Sequence, residues 1–129
     1  FDAKLNKIKA ITIPHRPEDM RVVYHLYSVF AEFRDELLDY CVSRGVEAKV
    51  HYPIPIYKQK ALGNNYNLMQ FPVTDHQAQN VISFPCDQHL TNLQLEEITN
   101  SVKELVNPVL WNHILKTTLD KMCCVVVRW

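Results

Sequence analysis

At Gly45 the hydrophobic period of this chain changes, and no other local feature constrains the fold as strongly. Between Arg34 and Arg44, Leu37, Leu38, Cys41 and Val42 recur at helical spacing, so this segment forms a helix with one apolar face. Asp35 and Glu36 stand in its first turn and Arg44 in its last, the order that the helix dipole favours. Gly45 then falls where a left-handed C-terminal cap belongs, a conformation glycine adopts without steric cost. Beyond it Val46, Ala48, Val50 and Tyr52 alternate with Glu47, Lys49 and His51, the period of a half-buried strand. A helix that turns directly into a strand buries its apolar stripe against the sheet to which that strand belongs, which gives a layered fold. Pro53 and Pro55 in HYPIPIY remove two ladder donors and force an extended exit from the strand.

The remaining segments fill out that layered arrangement. Leu5 and Ile8 lie three apart in residues 4–9, which read as the end of a short helix. Residues 11–13 form a brief β-prone run before Pro14, residues 15–20 a polar turn, and VVYHLYSVF (22–30) the strongest strand. Residues 58–71 form a polar, Asn-rich loop around Gly63, residues 75–80 a short helix, and VISFP (81–85) a brief strand closed by proline. Thr91 and Gln94 make a T-x-x-Q capping box before Leu95, Ile98, Val102 and Leu105, the clearest helix of the chain. Asn107-Pro108 opens a further helix through Leu119, and the last eight residues, MCCVVVRW, are apolar and β-prone. The fold class that follows is α+β: a small, mostly antiparallel sheet with helices packed on one face, a two-layer sandwich.

Composition narrows the function classes. Fourteen basic residues balance fourteen acidic ones in 129, so no field of one sign draws in nucleic acid. No run approaches the ~20 apolar residues of a membrane span, and FDAKLNKIKA lacks the apolar stretch of a signal peptide. Two glycines are too few for either GxGxxG or GxxxxGK[ST]. The cysteines at 41, 86, 123 and 124 include no CxxC and suit neither a disulfide framework nor a zinc site. A reducing cytoplasm is the expected compartment, with Cys41 a small hydrophobe on a buried helix face.

His51, at a strand end before two prolines, is the most suggestive residue for chemistry. It is either a positioned ligand-binding side chain or a solvated residue on a half-buried strand, and the residues alone leave both readings open. His25 in the β-prone run points either into the core, which is the expectation, or toward a ligand. His15, His76, His89 and His113 show no zinc spacing, and no GxSxG marks a nucleophile. Cys86 lacks the flanking base that would activate its thiol. Lys49, Lys58 and Lys60 bracket HYPIPIY and suit either a small anion or the protection of a strand edge.

Taken in order, YHLY within residues 22–30, RDELLDYCVSRGVEAKVHYPIPIYKQKAL and FPVTDHQAQNVISFPCDQHLTNLQLEEITNSVKEL resemble the C-terminal small domain of DegT/StrS-type sugar aminotransferases. The elements that carry the resemblance are HYPxP, S-x-P and L-T-x-x-Q in the same order and with similar spacing. The resemblance covers residues 1–106 and leaves 107–129 as an unassigned helical and apolar tail.

It implies a fold-type I enzyme that uses pyridoxal phosphate (PLP) to move an amino group onto a nucleotide-linked keto-sugar. It also implies that the catalytic lysine and the cofactor site lie in a large N-terminal domain missing from this chain. The full-length enzyme would bind PLP and form a homodimer, whereas no cofactor, catalytic residue or metal is expected here. His51 and Tyr52 match HYP and would help to receive the sugar or its phosphate. Tyr24, His25 and Tyr27 match the YHLY strand, which is mainly structural. Many members carry histidine where this chain has Tyr57, a departure that bears on the substrate subclass. The competing expectation is a stand-alone binding or interaction module that kept the small-domain fold and lost catalysis.

Overall fold

The computed structural model describes residues 1–63 and 70–107. The central strand β2 (Tyr27–Ala31) pairs antiparallel with β1 (Ile11–Thr12) on one side and with β3 (Val81–Phe84) on the other. Its register sets Tyr27 against Phe84 and Val29 against Ile82, so these four side chains share one face. That face is the core. Tyr27, Val29, Ala31, Ile82 and Phe84 are all buried there, beneath α1 (Asp2–Leu5), α2 (Arg34–Ser43) and α4 (Asn92–Val106). Leu37 and Cys41 of α2 meet Val102 and Leu105 of α4 in the same cluster. The α+β sandwich expected from the sequence is the observed fold.

The turn at Gly45 has the expected form. Gly45 has φ +79°, its N–H donates to the Val42 carbonyl at 3.0 Å, and the Val46 N–H donates to Cys41 at 2.9 Å. Together these bonds make a Schellman cap, closed by apolar contact between Val46 and Cys41 in the core. The capping box also forms: Thr91 Oγ1 accepts from the Gln94 N–H at 3.3 Å, and Gln94 Oε1 accepts from the Thr91 N–H at 2.9 Å. Across the helices, Tyr40 donates to Glu104 at 2.9 Å and Lys4 pairs with Glu96 at 3.1 Å.

Several boundaries differ from expectation, each for a physical reason. The strand read over residues 22–30 begins only at Tyr27, because β3 supplies partners for residues 27–30 and nothing among the described residues pairs with those before them. Val23 is 84% exposed, so β propensity without a partner strand has left the segment irregular. The alternation over residues 46–52 yields a single bridge, Lys49 with Ser83. The Ala48 N–H turns back to the Val46 carbonyl at 2.8 Å, and the prolines follow at once. The first helix ends at Leu5, although Ile8 is buried as its spacing suggested. α3 (Pro72–Asn80) starts three residues early, with Pro72 in its first turn where the missing N–H costs nothing. His25, expected in the core, is exposed. The centre of the Asn-rich loop, the helix expected after Pro108 and the apolar tail lie outside the described residues.

Candidate functional site

Lys49 fixes the position of the HYPIPI segment. Its N–H donates to the Ser83 carbonyl at 3.0 Å and its carbonyl accepts from the Ser83 N–H at 2.8 Å. Such a pair sets Lys49 on the same face as Ser83 and Ser28, and strand alternation carries His51 onto that face two residues later. This is the sheet face turned away from the core. There the Ser28 and Ser83 hydroxyls lie 2.8 Å apart, and a cleft of about 330 Å³ opens between the sheet, residues 51–56 and α3. Phe30, His51, Tyr52, Thr74 and Gln77 are among the residues that line it. Ala78 of α3 is buried outside the main core cluster and borders the same cleft.

The two residues singled out by sequence therefore come together at one cleft. The His51–Tyr52 peptide is cis, and the two rings meet edge to face at 5.6 Å. His51 is half-buried, and its Nδ1 is shielded without a hydrogen-bond partner among the described residues. A shielded ring nitrogen left unpaired is costly. Tyr52 is 72% exposed and presents an aromatic face with a hydroxyl tip.

A clamp that sequence reasoning missed holds the far end of this segment. Tyr57 and Lys58 occupy a 3₁₀ turn (Ile56–Lys58), and both donate to Oδ1 of Asp75 in α3, Lys58 at 2.6 Å. The Tyr57 ring also leans on Phe71, with centroids 4.7 Å apart. The hydrogen bond from Lys58, helped by that from Tyr57, holds the Asp75 carboxyl below its ordinary range, and the same bond raises Lys58. The sequence signal was faint, since Asp75 looks like an ordinary first-turn helix acid. At the other end of α3, Arg34 Nη1 donates to the Ala78 carbonyl at 3.1 Å and to Val81 at 3.4 Å. A cation there also suits the helix C-terminus.

The lysine trio does not form an anion site. Lys49 is bonded to Glu47 at 2.6 Å, a hydrogen bond that lowers the Glu47 pKa, and Lys58 is committed to Asp75. Tyr24 and Tyr27 serve the scaffold instead. Tyr27 donates to Asp2 and stacks on Phe1 at 4.3 Å, and Arg16 lies over both tyrosine rings at 5.1 and 5.7 Å. Burial and then the Asp2 carboxylate push the Tyr27 hydroxyl pKa up, so it stays a neutral donor. Among the described residues no group of three or more His, Cys, Asp and Glu is placed to hold a metal. No helix among them is long and apolar enough to cross a membrane.

A three-stranded antiparallel sheet with helices over its core face and a histidine-bordered cleft behind defines an α+β domain of the kind found within solved aminotransferases. Residues 1–103 match the DegT/DnrJ/EryC1/StrS aminotransferase family, and the chain belongs to that family. It is 31% identical over 98 residues to dTDP-3-amino-3,4,6-trideoxy-alpha-D-glucose transaminase of Streptomyces venezuelae, covering 75% of this chain and 26% of that protein. It is 27% identical over 92 residues to dTDP-3-amino-3,6-dideoxy-alpha-D-galactopyranose transaminase of Aneurinibacillus thermoaerophilus, covering 71% and 25%. The S. venezuelae DesV structure in complex with a ketimine intermediate superposes with TM-score 0.77 at 29% identity, over 82% of this chain and 29% of that one. A Brucella abortus aminotransferase shares the fold with TM-score 0.72 at 20% identity, over 82% of this chain and 28% of that one. The matched region spans about a quarter of the length of these curated relatives.

PLP, which the family resemblance implies, is held by a lysine whose amine must lose its proton to form a Schiff base. The described lysines do not fit that role. Lys7, Lys9, Lys49, Lys58, Lys60 and Lys103 are exposed, and Lys4 is paired with Glu96. Asp75 moreover raises Lys58, the wrong direction for a nucleophilic amine.

Proposed function

We propose that residues 1–106 are the small C-terminal domain of a PLP-dependent aminotransferase that moves an amino group from an amino acid to a nucleotide-linked keto-sugar. The observation that carries this reading is the family match over residues 1–103, joined to 31% identity with a dTDP-sugar transaminase. The lysine, the PLP site and the remaining machinery belong to a large domain outside this sequence, so the chain by itself does not transaminate. The intact enzyme is a cytoplasmic homodimer, and residues 107–129 are an appended tail.

His51 and Tyr52 form this domain's share of the substrate site. His51 borders the cleft and offers its imidazole to a sugar or phosphate oxygen, and Tyr52 offers an exposed ring for apolar and hydrogen-bonded contact with the nucleotide-sugar. The Tyr57–Asp75–Lys58 clamp and the Lys49–Ser83 bridge hold the segment at its two ends. The test is His51→Ala in the intact enzyme, assayed for transfer from glutamate to a dTDP-linked keto-sugar. A raised KM for the sugar with an unchanged melting temperature supports the assignment. Unchanged sugar kinetics with a lowered melting temperature assigns His51 to the scaffold.

A further inference from the structure

The sugar cleft has two walls that belong to different parts of the chain. One is α3, which presents Thr74 and Gln77, and the other is the segment that carries His51, Tyr52, Ile54 and Ile56. α3 is the fixed wall. It runs directly into β3, and Arg34 donates to the Ala78 and Val81 carbonyls where the two meet. The opposite wall has no such support along its length. Lys49 is its last tie to the sheet, and from Val50 to Ile54 no backbone group makes a hydrogen bond among the described residues.

Asp75 joins the two walls. Its Oδ1 accepts from the Tyr57 hydroxyl and from Lys58 Nζ, and no other hydrogen bond or ion pair among the described residues runs between residues 50–58 and α3. Bonds to an ionised carboxylate are the stronger kind. The Tyr57 ring is braced in turn by Phe71, just ahead of α3, and by Lys58 Nζ at 5.2 Å from its centroid. Pro53 and Pro55 fix φ at alternate positions between Tyr52 and Tyr57, so a shift at the clamp is carried along the segment instead of being absorbed within it. The Lys58 side chain is half-exposed, and an ion pair of that kind contributes little to overall stability. Its effect falls on where the second wall stands. Tyr57, Lys58 and Asp75 all lie outside the lining of the cleft, so whatever they do for a ligand passes through that wall.

We propose that Asp75 is a positioning residue for the sugar cleft: it fixes the separation of α3 from the His51–Tyr52 segment and so sets both side chains where they meet the sugar. The substrate half of this inference rests on the assignment of the cleft made above. A wall held in place before the ligand arrives spares the cost of ordering it on binding, and small displacements of groups that orient a substrate are felt strongly. Loss of the clamp therefore weakens recognition of the sugar while the fold stays intact.

Asp75→Ala and the milder Tyr57→Phe test the two halves separately. In the 129-residue chain without ligand, NMR should show the His51 imidazole and Tyr52 amide resonances moved by either variant while the amides of α4 stay in place. In the intact enzyme, Asp75→Ala should raise KM for the dTDP-linked keto-sugar roughly fivefold and leave KM for glutamate unchanged. Added to His51→Ala and Tyr52→Ala together, it should raise the sugar KM no further, because the clamp acts only through those residues. A residue that served stability alone would lower the unfolding midpoint and leave that cycle additive. Unmoved His51 and Tyr52 resonances, additive increases in KM, or a sugar KM that His51→Ala raises and Asp75→Ala does not would overturn the proposal and leave the sugar assignment standing. Moved resonances with sugar kinetics that neither Asp75→Ala nor His51→Ala alters would refute the sugar assignment, and the positioning role would fall with it.

Discussion

Replacing Gly45 by alanine isolates the backbone cost of the turn that leads from α2 into the chain carrying His51. The position has φ +79°, and a Cβ there would meet no atom within 4 Å, so the substitution brings strain without a clash. An L-residue held in the left-handed region costs roughly 1–2 kcal/mol. Alanine also restricts the unfolded chain, which offsets roughly 0.4–1 kcal/mol of that cost. The net expected loss is therefore about 1 kcal/mol. Asparagine tolerates the left-handed region better than alanine, so Gly45→Asn should cost about half as much. Urea unfolding of the 129-residue chain reads both. With m near 1–3 kcal/mol/M, the Gly45→Ala midpoint should fall by roughly 0.3–1 M with m unchanged. Equal losses for alanine and asparagine, or no loss for alanine, would refute the claim that φ rather than packing demands glycine here.

Other perturbations probe the rest of the structure. Leu37→Ala, at a fully buried position, should cost about 2–5 kcal/mol in the same urea assay, whereas Leu93→Ala, 75% exposed, should stay within roughly 0.5 kcal/mol. Burial pushes the Cys41 thiol up to about 11, so peptide mapping after iodoacetamide treatment at pH 8 should find Cys41 unlabelled in the folded chain and labelled in urea. Equal native labelling of Cys41 and the half-buried Cys86 would contradict this. The folded Asp75 pKa lies below its unfolded value, so its stabilisation is present above the unfolded value near ~3.9 and is lost as pH falls through the folded one. An Asp75→Asn variant should lose that acid-dependent component of the unfolding curve, and an identical pH profile would show that the clamp contributes nothing. PLP mixed with the 129-residue chain should leave no aldimine absorbance after gel filtration.

The main helices and their caps were legible because each rests on a local signal. Gly45 sits at a change of period, Thr91 and Gln94 satisfy each other within one turn, and Leu95 to Leu105 repeat at helical spacing. What was not legible depends on partners distant in the chain. Val22 and Val23 have strand propensity, but β3 is only four residues long and ends its pairing at Tyr27. Residues 46–52 alternate correctly, yet among the described residues Lys49 alone of them pairs with the sheet, at Ser83. His51 stood out because two prolines follow closely and Tyr52 through the HYP element of the family resemblance, and the structure brings both to one cleft. The serine pair behind that cleft and the Asp75 clamp join residues 55 and 17–18 positions apart, separations that no local pattern announces.

The most direct test of the proposed function is where the cofactor attaches in the natural protein. The polypeptide containing this sequence is purified, reduced with borohydride and mapped by mass spectrometry for pyridoxyl-lysine. The expected result is one modified lysine located outside residues 1–129 of this sequence. A modified lysine within these residues, or a natural polypeptide that carries no pyridoxyl group, would contradict the assignment of this chain as the small domain of a PLP-dependent sugar aminotransferase.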